Sequence, residues 1–111
     1  MEDLEKMAQQ LGAKLAADER TILLKQAQKA AQEDPEAMKL MEEYKTQAEK
    51  IHQLETDGKP IEVTDKHALQ TIEENISTNE KLKELTRRQM DFVDMMRKVK
   101  QAIDGQLQIQ V

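Results

Sequence analysis

The chain has 111 residues, of which 35% are charged and only 2% aromatic, a formal net charge of -5 and no cysteine. That composition excludes a disulfide framework, a thiolate metal site and a cysteine nucleophile. With three glycines and two prolines as its only strong breakers, it favours one all-α domain over a sheet sandwich. No stretch approaches the roughly 18 consecutive apolar residues of a membrane span, and Met1-Glu2-Asp3-Leu4-Glu5-Lys6 lacks the basic-then-apolar order of a signal peptide. The expectation is a soluble cytoplasmic protein.

A first helix is predicted over about 3–17, because Leu4, Met7, Ala8, Leu11 and Leu15 recur at i, i+3, i+4, i+7 spacing and share one face. Asp18 reads as a break and a new cap, opening a second helix over about 18–33 with Ile22, Leu23, Ala27, Ala30 and Ala31 on its apolar side. Small side chains at Ala30 and Ala31 let another backbone come close. Asp34-Pro35 then restarts the chain, since aspartate caps and proline at the first helical position gives up an amide that has no partner anyway. The third helix, about 35–56 and on the order of 33 Å long, carries Ala37, Met41, Tyr44, Ala48 and Ile51 in alternating steps of four and three, the spacing of a coiled-coil seam. Leu40 and Leu54 widen that stripe.

The link that follows, Asp57 to Val63, calls for a positive φ near Gly58 and a restricted turn at Pro60, which suits a hairpin tip. A fourth helix over about 64–77 is expected to take Thr64 as its cap and to bury Leu69, Ile72 and Ile76. Ser77-Thr78-Asn79-Glu80 has capping-box spacing and predicts a kink or brief break. The fifth helix, about 80–104, has the longest seam: Leu82, Leu85, Gln89, Phe92, Met96, Val99 and Ile103. Gly105 is expected to end it, leaving a short tail over 105–111. The third and fifth helices are therefore expected to lie against each other as a long antiparallel hairpin, with the short N-terminal helices added.

A small chain drawn out into rods leaves apolar surface uncovered, so self-association into a dimeric helical bundle is expected. Met41, Tyr44, Ile51, Leu85, Phe92, Met96 and Val99 are the candidate core and dimer seam. The charge is also uneven. Residues 80–100 hold seven Lys/Arg against four Asp/Glu, whereas residues 1–79 hold ten against seventeen. Arg87, Arg88 and Arg97 on the basic helix are candidates for docking a larger, acidic protein partner. A direct RNA-binding role for the same arginines is an alternative, set against by the interrupting Asp91 and Asp94 and by the lack of aromatics to stack bases beyond Phe92. A helical-hairpin chaperone or secretion partner is another. Glu49 and His52 share a helix face at Glu-x-x-His spacing, but a di-iron bundle site needs a second such motif, and Thr64 stands where His67 would need its glutamate. No catalytic residue, cofactor or metal site is predicted.

These marks together resemble the YlbF/YmcA (Com_YlbF) family of small bacterial helical proteins, its YheA-like members included. They are the short first helix, Asp34-Pro35-Glu36-Ala37 opening a long helix with Leu40, Met41 and Tyr44, the turn Gly58-Lys59-Pro60-Ile61, and Asn79 leading into Leu82, Leu85, Phe92 and Ile103. The resemblance runs from about Leu4 to Ile103 and implies a helical-hairpin homodimer with a regulatory rather than catalytic role. It also implies a partner of the YaaT or ribonuclease Y kind, in RNA processing that affects competence, sporulation and biofilm formation. The cysteine-ligated iron–sulfur clusters associated with some branches of that family do not carry over to a chain without cysteine.

Overall fold

The computed structural model describes residues 1–109, and within them the chain is all-α: α1 (Glu2–Ala17), α2 (Glu19–Gln32), α3 (Pro35–Thr56), α4 (Val63–Thr78) and α5 (Glu80–Leu107). The part of the expected C-terminal tail at residues 110 and 111 lies outside the described residues.

Local chemistry sets each joint. At the first, Asp18 leaves the helix (ψ 142°) and its Oδ1 accepts from the Arg20 backbone N–H at 2.9 Å, while its carbonyl oxygen accepts from Thr21 and Ile22. At the second, Asp34 Oδ2 accepts from the Ala37 N–H at 3.1 Å with Pro35 in the first turn, so one orphan amide of α3 is capped and another is absent. The third joint is a Schellman closure: Lys59 N–H donates to the Leu54 carbonyl (2.8 Å) and Gly58 N–H to that of Glu55 (3.1 Å), with Gly58 at φ +68°. Only glycine adopts that angle without steric cost. At the fourth, Asn79 interrupts the chain (ψ 121°) and its Oδ1 accepts from the Leu82 N–H at 3.0 Å. One extended residue therefore ends α4 and caps α5.

Three expectations are corrected. Thr64 is not the cap of α4; the helix starts at Val63 after Glu62, whose side chain makes no capping bond, and Val63 stays exposed. Gly105 does not end α5, which runs on to Leu107; the left-handed residue is Gln108 (φ 54°), its N–H donating to the Asp104 carbonyl at 3.0 Å. A glycine permits the left-handed turn but does not compel it, and an interior glycine with nothing within 4 Å of its Cβ position rides along in a helix. The helix that α3 takes as its hairpin partner is α4, where the sequence pointed to the α5 seam. Apolar spacing says that a face is buried but not which neighbour buries it.

The chain divides into two compact units. One is Lys29–Glu84 and holds the antiparallel hairpin of α3 and α4, closed at the Asp57–Glu62 turn. Ala31, Ala37, Leu40 and Leu82 are its buried apolar residues, and Ile51, Leu54, Ile61, Leu69, Ile72 and Ile76 are half-buried. A polar lock crosses the hairpin: Lys50 Nζ meets Asp65 Oδ1 at 2.8 Å, and Gln47 Nε2 donates to the Asp65 carbonyl oxygen at 3.0 Å. The other unit is Met1–Gln28 with Leu85–Val111, whose buried residues are Thr21, Ala27, Leu85 and Met95. There Arg20 on α2 lies in the field of Asp91 and Asp94 on α5.

Candidate protein-interaction surface

Helix α1 has no buried residue at all. Its apolar stripe is intact in sequence, yet Leu4 is 60% and Met7 63% exposed, with Leu11 also open to solvent. An amphipathic helix whose apolar side faces water on its own chain is a surface awaiting cover, because burying each such side chain is worth roughly 1.5–3 kcal/mol. α3 presents a second apolar row, Met38, Met41 and Tyr44, all exposed on its outer side.

α5 carries two faces. Leu85 and Met95 are buried, with Phe92 and Val99 half-buried beside them. Rotated from that line, Thr86, Gln89, Met90, Val93, Asp94 and Arg97 line a shallow, open and mostly apolar depression, in which Met90 and Val93 are 67% and 62% exposed. Met96, Ile103 and Leu107 continue the exposed apolar surface along the helix.

The seam residues named from sequence therefore divide. Leu85 is buried, Ile51, Phe92 and Val99 are half-buried, and Met41, Tyr44 and Met96 are exposed. Met95, which the seam spacing skips, is buried at 4% exposure. The second α5 stripe was missed because it was sought at one heptad phase only; positions 86, 89, 90, 93 and 97 recur at helical spacing one face over. Of the docking candidates, Arg87 and Arg97 are exposed, Arg88 is half-buried, and Arg97 forms one wall of the depression.

The charges around this surface are laced rather than bare. Arg97 and Lys98 both engage Asp94, the lysine at 3.1 Å, and Arg88 approaches Asp91 at 3.9 Å. The hydrogen bond from Arg97, then that from Lys98, holds the Asp94 carboxyl below its ordinary range. At the start of α2, the Arg20 guanidinium clasps Asp18 through Nε (2.9 Å) and Nη2 (3.0 Å) and pulls that carboxyl down to about 2. The Lys50 hydrogen bond likewise lowers Asp65. The lowered carboxyls of Asp18, Asp65 and Asp94 stay ionised through the physiological range, so they shape a fixed field rather than a proton relay.

Glu49 and His52 gain no third ligand: among the described residues, no group of three His, Cys, Asp or Glu side chains comes together. No helix among the described residues is long and apolar enough to cross a membrane.

What these features define is an all-α protein whose open surface is made of helix faces. The family model described as control of competence regulator ComK, YlbF/YmcA, matches residues 4–108, and the chain belongs to that family. Solved structures share its fold, two of them as follows. A protein of unknown function (DUF964) from Bacillus stearothermophilus is 22% identical with a TM-score of 0.77, over 96% of this chain and 93% of that one. RicA of Bacillus subtilis, solved in complex with RicF, is 20% identical with a TM-score of 0.83, over 96% of this chain and 94% of that one. No curated protein matches in sequence.

Proposed function

We propose that this protein is a non-catalytic, cytoplasmic regulatory adaptor that works by protein–protein association. It forms a homodimer through apolar helix faces that include Met41, Tyr44, Ile51, Leu85, Phe92, Met96 and Val99. In that state it docks a larger protein through the α5 surface around Arg87, Arg88 and Arg97, the partner being a YaaT-like protein or a ribonuclease complex engaged in RNA processing. The observation that carries this reading is the exposed apolar surface of α1, α3 and α5 in a chain whose charge keeps it in solution. Membership of a family named for control of a competence regulator supports regulation over catalysis, and RicA, solved together with RicF, is a fold neighbour that does associate with another protein.

Purification of the tagged chain from its own host, with and without Arg87→Glu plus Arg97→Glu, tests the reading. A YaaT-like protein or ribonuclease that accompanies the wild type and is lost from the double variant fits it. Loss of neither on charge reversal, or a chain that emerges alone and monomeric, contradicts it. RNA retained after nuclease-free lysis, and released by salt, would move the assignment to direct RNA binding.

A further inference from the structure

Two features of the unit formed by Met1–Gln28 and Leu85–Val111 answer each other: an apolar helix face without a cover, and an apolar depression without an occupant. We propose that α1 of one copy docks in the α5 depression of a second copy, so that a dimer is closed by two symmetric exchanges. This deepens the self-association proposed above and rests on it.

Spacing supports the pairing. Leu4, Met7 and Leu11 step along α1 at three and four residues, and Arg97, Val93, Met90 and Thr86 step back along α5 in the same pattern, so an antiparallel approach sets Met7 over Val93 and Leu11 toward Met90. Charge is complementary in that arrangement. The first turn of α1 is acidic, with Glu2, Asp3 and Glu5, and the antiparallel approach brings it to the end of the depression where Arg97, Lys98 and Lys100 cluster. Size is sufficient as well: a helix of 16 residues is about 24 Å long and about 10 Å wide, so two dockings cover on the order of 1,000 Å², the lower bound of a specific interface. In a homodimer both features occur on each chain, so a single kind of contact, made twice, covers all four apolar faces.

The absence of native cysteine makes the test direct. Full-length chains carrying only Met7→Cys and only Val93→Cys are co-expressed with different tags and oxidised. The expected product is a disulfide joining the two different variants, in excess of either self-pair. Self-pairs alone, or no cross-link, would overturn the proposal. In parallel, Leu4→Glu with Met7→Glu should leave helicity unchanged, since both positions are exposed in the single chain, while the dimer dissociation constant rises on the order of 100-fold. An unchanged dissociation constant would also overturn it. A wild type that stays dimeric while the cross-link fails removes only this exchange, whereas a wild type that is monomeric removes the self-association itself.

Discussion

The α3–α4 hairpin and α1 are built from the same amphipathic grammar and end in opposite conditions. The hairpin completes itself: Ala37 and Leu40 are buried, the Schellman turn fixes the reversal, and Lys50 and Gln47 of α3 hold Asp65 of α4. α1 follows the same periodic rule and buries nothing. Periodicity thus reports that a face needs covering, and whether the cover comes from the same chain is decided by which elements the loops bring together.

Substitutions can break that contrast, and the largest effect belongs to the hairpin interior. Leu40→Ala should lower unfolding free energy by about 2–4 kcal/mol in chemical denaturation, because a side chain at 6% exposure leaves a cavity that its neighbours fill only in part. Leu4→Ala, on the open face of α1, should change single-chain stability by less than about 0.5 kcal/mol. At concentrations where the chain is monomeric, comparable losses at the two sites would show that α1 is packed on its own chain.

The joints come next in size. Gly58→Ala forces a Cβ into a left-handed conformation and should cost about 1 kcal/mol in thermal unfolding. Asn79→Ala, which strips the Leu82 amide of its acceptor, should cost about the same by loss of the cap. In the opposite direction, Thr21→Val should be neutral or stabilise by about 1 kcal/mol. The Thr21 hydroxyl is buried without a hydrogen-bond partner among the described residues, and removing it removes an unmet desolvation cost.

Acid should act on the hairpin in a defined direction. The folded Asp65 carboxyl titrates below its ordinary 3.8, so its pairing with Lys50 contributes above that value and is lost as pH falls through the folded pKa. Asp18 follows the same sign, its contribution disappearing between 3.8 and about 2. Lys50 is shifted upward, so the same pair weakens again only when strong alkali neutralises the amine. Asp65→Asn should flatten the acid limb of a melting-temperature profile; a limb of unchanged slope would assign acid sensitivity to other carboxylates.

Signals that act within a few residues were legible in the sequence. Asp34-Pro35 and Gly58 each dictate a backbone event through their own side chain or its absence, and each does so in the structure; the break within Ser77–Glu80 was legible too, although Asn79 caps α5 where the capping-box spacing pointed to Ser77. Signals that depend on a distant partner were not. Thr64 has capping chemistry, but the start of α4 is set where Lys50 and Gln47 recruit Asp65, which no local pattern records. Gly105 has turn chemistry, yet α5 carries on through it to Leu107 and the left-handed angle falls at Gln108, because a glycine permits a turn without compelling one. The surface was half legible: the Leu85–Phe92–Val99 line was visible in the α5 heptads, whereas the depression around Met90 and Val93 emerges only once α5 has turned its first face inward.

Sedimentation velocity of the wild-type chain, followed from nanomolar to high micromolar concentration, tests most directly whether these open faces are made for protein contact. The account predicts a concentration-dependent shift to a dimer complete by the micromolar range, with no change in helicity. A stable, fully helical monomer at every concentration would contradict it.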